Sequence, residues 1–86
     1  MRECVKWFGE QMESALSKHD KDRGEEGWLD EDLGWLFDRL VDEVDELEEV
    51  LETADWQEGV GQDQIIKECV DVANFAMFIA DVTRNS

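Results

Sequence analysis

The sequence has no proline and only six glycines in 86 residues, so little in it interrupts a helix. The glycines at 24 and 27 and at 59 and 61 fall into two clusters that mark where the chain can turn. Cysteine is nearly absent. Cys4 and Cys69 show neither CxxC nor Cys/His spacing, which excludes the dense disulfide framework of a small secreted domain and reads as two reduced thiols. No stretch approaches the roughly 18 consecutive apolar residues of a membrane span, and Met1-Arg2-Glu3-Cys4 lacks the charged-then-apolar start of a signal peptide. A cytoplasmic location is expected. Basic residues are also scarce: eight Lys and Arg stand against 24 Asp and Glu, for a net charge of −16. Such a chain repels phosphate backbones and anionic lipid surfaces, so nucleic-acid and membrane partners are not expected.

What remains is a small, acidic, foldable chain. A domain of this length buries only roughly 60 to 65% of its unfolded surface, so residues 1–86 form one domain with one small core. Hydrophobic residues at 42%, including four Trp and four Phe, exclude a disordered tail. Three amphipathic stretches follow. From 2 to 19, Val5, Phe8, Met12, Ala15 and Leu16 recur at steps of three and four. Residues 20–29 read as a loop, with Asp30 as the N-cap of the next helix. From 31 to 54, Leu33, Phe37, Leu40, Val44, Leu47, Leu51 and Ala54 alternate by four and three, which predicts a core-facing seam. After a second loop at 55–62, Asp63 is placed to cap a helix to about 83. There Ile65, Cys69, Val72, Ala73, Ala76 and Ala80 share a face that Phe75, Phe78 and Ile79 widen. A helix apolar nearly all round is buried on several sides. The expected fold is therefore an all-α bundle of three main helices whose second and third helices pair in a homo-oligomer, either a twofold dimer or a dimer of dimers.

The acids are regional: 17 of them, with only Lys21, Arg23 and Arg39 as bases, lie between Asp20 and Glu58. Asp38, Asp42, Asp45, Glu48, Glu49 and Glu52 suit the solvated face of an acidic helix. Two pairs stand apart. Glu43 and Glu46 lie about 60° from each other on the second helix, with Glu43 about 60° from Leu40 at the shoulder of the apolar stripe. Glu68 and Asp71 repeat this spacing on the third helix and are the only acids between Gln64 and Ala80. Carboxylates facing one another across packed helices raise one another's proton affinity and loosen the bundle unless a cation sits among them. Arg39 and Lys67 are too few to neutralise the set. With no His or Cys among the candidates, an all-oxygen site for Mg²⁺ or Mn²⁺ is expected, and with it metal-assisted attack of water on a phosphoanhydride.

Glu43-Val-Asp-Glu46, a spacer of 21 residues, and Glu68-Cys-Val-Asp71 together resemble the ExxE and ExxD signature of the MazG-like all-α nucleoside triphosphate pyrophosphohydrolases. Gly27-Trp28, the run Leu40 to Leu47 and the run Ile65 to Asp81 extend the resemblance to short members of that family, including those common in phages and prophages. The resemblance implies Mg²⁺-dependent hydrolysis of an NTP or dNTP to the monophosphate and pyrophosphate, a nucleotide-pool housecleaning reaction. It implies Glu43, Glu46, Glu68 and Asp71 as metal ligands and catalytic carboxylates, one of which orients the attacking water. Asn74, one turn beyond Asp71, is a candidate substrate contact. Lys18, Lys21, Arg23 and Lys67 are candidates for phosphate neutralisation, and Trp28 for stacking on a base or closing the core. Trp7 reads as packing, Trp35 and Trp56 have no assigned role, and His19 reads as a helix C-terminal cap.

Two other readings compete. Asp20, Asp22 and Glu31 fall at positions 1, 3 and 12 of a calcium-loop spacing, but Gly24 is misplaced, with Glu25 where glycine is required. The stronger rival is a non-catalytic acidic helical module that binds a basic protein partner, for which charge alone suffices.

Overall fold

A computed structural model of the chain describes residues 1–24 and 26–86, with the side chains of all of these except Lys21, Asp22, Arg23 and Trp56. The loop position expected for Glu25 and the phosphate contacts expected of Lys21 and Arg23 lie outside what is described. Three α-helices dominate the described chain: α1 (Glu3–Arg23), α2 (Leu33–Thr53) and α3 (Gln62–Arg84), with 3₁₀ turns at Gly27–Asp30 and Trp56–Glu58. The only strand-like pairing among the described residues is an isolated bridge between Asp55 and Val60. The all-α expectation holds.

Local chemistry sets the boundaries, and three differ from those expected. α1 continues past residue 19 because nothing stops it before Gly24, where φ reaches 76° and the Gly24 N–H donates to the Asp20 carbonyl. That left-handed conformation strains any residue with a Cβ. The N-cap of α2 is Asp32 rather than Asp30: its Oδ2 accepts from the Trp35 N–H at 3.2 Å, while Asp30 belongs to the 3₁₀ turn. α3 begins at Gln62 with no side-chain cap, so Asp63 is not its cap. Gly61 precedes it at φ 86°, and a Cβ there would lie 2.8 Å from the Ala54 Cβ. The absent side chain lets the start of α3 approach the end of α2.

α3 is the central element. It packs most extensively on α2, then on α1 and on the 27–30 turn, and among the described residues no comparable contact joins α1 to α2. The two outer helices thus diverge over α3 and leave a cleft. α2 and α3 run in opposite senses: Arg39, one turn before Glu43, lies over the ring of Phe75, one turn after Asp71.

The seam expected on α2 turns inward only in part, with Leu40, Leu47 and Ala54 half-buried. Leu36, at 1% exposure, is the most buried side chain, while Leu33, Phe37, Val44 and Leu51 are between 43 and 56% exposed. α2 is rotated by about 60° from that seam, so that the stripe holding Leu36 and Glu43 meets α3. Val70 is the only other buried apolar residue described, against four buried polar ones: Glu43, Glu68, Asn74 and Asp81. On α3, Ala76 and Ala80 are exposed. Phe78 stacks on Trp28 at 4.6 Å between ring centroids and meets Phe75 edge-on at 5.1 Å, so it serves the chain's own interior.

The result is an open molecule. Its radius of gyration is 14.1 Å, against about 12 Å for a compact domain of this length. Its accessible surface is 6433 Å² for 10.0 kDa, roughly 1,200 Å² above that of a typical folded monomer of the same mass. Cys4 and Cys69 are free thiols. No helix among the described residues is long and apolar enough to cross a membrane.

Candidate metal centre

The antiparallel packing of α2 on α3 sets Glu43 opposite Glu68 and Asp71. One carboxylate oxygen from each lies within 4.8 Å of the others, close to the span of about 4.2 Å between opposite oxygens around an octahedral Mg²⁺ or Mn²⁺. Glu43 and Glu68 are only 6% and 4% exposed, and Asp71 is half-buried. Glu46 is exposed and is not one of these three. It nonetheless approaches Glu43 closely enough for its hydrogen bond and charge to raise the Glu43 proton affinity.

Each carboxylate is satisfied on one side. Glu43 Oε1 accepts from Arg39 Nη2 at 2.9 Å, Glu68 Oε1 from Gln64 Nε2 at 2.8 Å, and Asp71 Oδ2 from Lys67 Nζ at 3.0 Å. Among the described residues no donor meets Glu43 Oε2, Glu68 Oε2 or the buried Asn74 Oδ1, and Glu46 can pair with Glu43 only when one of the two carboxyls is protonated. Leaving a buried acceptor unpaired costs about 1 to 3 kcal/mol, and more when it is charged. Two of these oxygens belong to the carboxylate cluster, and the third belongs to a residue on the same cavity wall as Glu43 and Asp71. The donor set is entirely oxygen, which fits a hard divalent cation.

The electrostatics agree. The Glu43 pKa is pushed up from 4.5 to about 7, first by burial, then by its hydrogen bond to Glu46 and by the Glu46 and Asp71 charges; Arg39 only partly opposes this. Lys67 is held above its ordinary value chiefly by its hydrogen bond to Asp71.

A cavity of about 600 Å³ opens beside the carboxylates, between the three helices and the 27–30 turn. That volume suits a small-molecule ligand. Glu43, Asp71, Arg39 and Asn74 lie towards one end, and Trp28, Trp35 and Phe78 towards the other. The eight residue steps from Trp35 to Glu43, both on the cavity wall, span about 12 Å along α2. Asn74 is anchored by its Nδ2, which donates to the Met12 carbonyl at 3.4 Å. Trp28 is fixed from outside by its indole N–H to Asp81 Oδ2 at 3.0 Å. That bond, followed by the one from Arg84, holds the Asp81 carboxyl below its usual range.

The structure sorts the sequence candidates. Glu43, Glu68 and Asp71 come together, with Asn74 and Trp28 on the cavity wall. Lys67 lies on the outer side of the acids, paired with Asp71 and Glu68, and neither it nor the exposed Lys18 lines the cavity. Three residues gain places that sequence reasoning did not give them. His19, read as a cap, lines the cavity, as do Trp35 and Arg39. For Arg39 a signal existed: it stands one turn before Glu43 on the same face. His19 and Trp35 gave none, because their placement depends on how α1 and α2 diverge. Comparisons of the chain with protein-family models, with curated proteins and with solved structures found no match.

Proposed function

We propose that this protein is a divalent-cation-dependent nucleoside triphosphate pyrophosphohydrolase, acting on an NTP or dNTP to give the monophosphate and pyrophosphate. The observation that carries this reading is the convergence of Glu43, Glu68 and Asp71, two of them with buried oxygens that no described donor meets; Glu43 and Asp71 stand on the wall of a cavity that Trp28, Trp35 and Phe78 also line. These three carboxylates would hold the ion. When bound, Mg²⁺ or Mn²⁺ would supply Lewis acidity towards phosphoryl oxygens and lower the pKa of a bound water. Asn74 Oδ1 offers an acceptor to substrate, and Trp28 and Trp35 offer flat faces to a base or sugar. Water adds at the α-phosphorus, the bridging oxygen leaves with pyrophosphate, and the water's proton passes to a carboxylate of the cluster. A module that binds by charge alone gives no reason for desolvating two carboxylates, which is costly without a cation.

The proposal includes self-association, since the surface in excess of a typical monomer exceeds the roughly 800 Å² that each partner contributes to a standard interface. The activity test is release of pyrophosphate from a panel of NTPs and dNTPs with Mg²⁺. Glu43→Gln, Glu68→Gln and Asp71→Asn should abolish release while keeping helix content. A wild-type protein that converts no member of the panel overturns the reading.

A further inference from the structure

Arg39 is the only lysine or arginine among the described side chains that lines the cavity. Its guanidinium is held in three ways: Nη2 donates to Glu43 Oε1 at 2.9 Å, Nη1 donates to Asp42 Oδ2 at 3.1 Å, and its carbon lies 5.3 Å from the centre of the Phe75 ring. The two carboxylates differ. Asp42 is an exposed neighbour, with its side chain 60% accessible, whereas Glu43 is a member of the buried cluster. The bond to Glu43 therefore occupies an oxygen of the very residue whose other oxygen is orphaned.

Resting on the metal-site reading above, we propose that Arg39 is a placeholder cation, neutralising Glu43 while no divalent ion is bound and turning to the substrate's phosphates once an ion takes Glu43 over. An ion on Glu43 Oε2 withdraws charge from the carboxylate and its own charge repels the guanidinium, so arrival of the ion weakens the bond that Oε1 accepts from Arg39. The released Nη2 remains on the cavity wall. Asp42 and Phe75 keep the guanidinium within reach, so it is not lost to solvent. A planar donor fork at the edge of a carboxylate cluster is suited to phosphate oxygens, which it binds in pairs. The cluster alone leaves a triphosphate poorly matched: three carboxylates outweigh the charge of one divalent ion, and a further cation on the substrate side is required to bring phosphates close. Lys67 does not serve, because it faces the outer side of Asp71.

The inference predicts effects of opposite sign from one substitution. Arg39→Met removes the charge and keeps an apolar stem against Phe75. In calorimetric titrations at about pH 8.5 this variant should bind Mn²⁺ alone at least as tightly as wild type. It should bind the Mn²⁺ complex of an α,β-methylene nucleoside triphosphate about tenfold or more weakly, the loss of one charge-assisted contact. Arg39→Lys, a point charge without the fork, should fall between the two for the nucleotide and serves as the measurement if Arg39→Met does not fold. In ¹⁵N spectra of wild type, the Arg39 side-chain N–H signal should move on adding Mg²⁺ and move again on adding the Mg²⁺ complex of the analogue. A purely structural Arg39 would weaken both ligands together, or neither, and that result overturns the proposal while leaving the metal site standing. Wild type that binds no Mn²⁺ overturns the metal-site reading and this one with it.

Discussion

Glu43→Gln should stabilise this protein when metal is absent, and only at neutral to alkaline pH. The Glu43 carboxyl is 6% exposed and its pKa lies at about 7 instead of 4.5. A folded-state pKa raised above the unfolded value means that the folded chain holds a proton which the unfolded chain has released. Stability is therefore untouched below about pH 4.5, falls as pH rises between about 4.5 and 7, and is fully reduced above that. At 1.36 kcal/mol per pH unit the full penalty is about 3 kcal/mol, which for a domain of this size corresponds to more than about 10 °C in melting temperature. Glutamine has nearly the same shape and no charge to desolvate, so the variant escapes the penalty. Urea denaturation in EDTA measures this directly. Wild type and Glu43→Gln should agree at about pH 4 and separate by up to about 3 kcal/mol in favour of the variant at about pH 8. The repulsion among the other acids is common to both proteins and cancels in the difference. A gap that does not change with pH, or a wild type that is the more stable at about pH 8, would refute the argument that burial and like charge, with Arg39 present, leave Glu43 in need of a further cation.

The same site makes the metal a folding ligand: Mg²⁺ at about 100 times its dissociation constant should add about 2.7 kcal/mol to wild type, read as a rise in melting temperature, and add nothing to Glu68→Gln. No shift in millimolar Mg²⁺ or Mn²⁺ would count against the site. Light scattering should give the mass of a dimer or larger assembly, and Phe37→Glu combined with Val44→Glu should give monomers with retained helix content, because both residues lie on the exposed apolar stripe of α2. An unchanged mass would reject that stripe as the contact; Phe78 is the poorer target because Trp28 already covers it.

Much of this arrangement is legible in the sequence, and the failures are instructive. The absence of proline and the paired glycines placed three helices, since breakers act through local backbone chemistry. The i, i+3 acid pairs were visible because helical phase is a property of one helix. Which face of α2 turns inward was not visible: the longest apolar repeat runs through Leu33, Phe37, Val44 and Leu51, yet the stripe of Leu36 and Glu43 is buried. Periodicity ranks faces by apolar content, and α2 spends its most apolar face elsewhere while burying a carboxylate. Glu46 shows the same limit. It is one turn from Glu43 and shares its motif, but a rotation of about 60° is enough to leave it in solvent. Placing His19 and Trp35 on the cavity needed the spread between α1 and α2, which no pattern within a single helix encodes.

The composition of the interior ties these observations together. Two apolar side chains, Leu36 and Val70, are buried among the described residues, beside four polar ones. Fully burying a leucine or valine is worth about 1.5 to 3 kcal/mol, so two of them do little to oppose the ordering of 86 residues. Glu43, Glu68 and Asn74, three of the four polar residues, each carry an oxygen with no partner, so the centre of the fold is also its least satisfied region. In an ordinary domain a binding site is a small defect in a core that holds without it. Here the carboxylate cluster occupies the place of the core, between the two helices that pack most extensively. If a cation binds on the inside and copies associate along the exposed face of α2, as proposed, both act on the same quantity, the cohesion of α2 with α3. A monomer stripped of metal should be the least stable form of this chain. Conditions that favour assembly should tighten cation binding, and by linkage the cation should favour assembly by an equal factor.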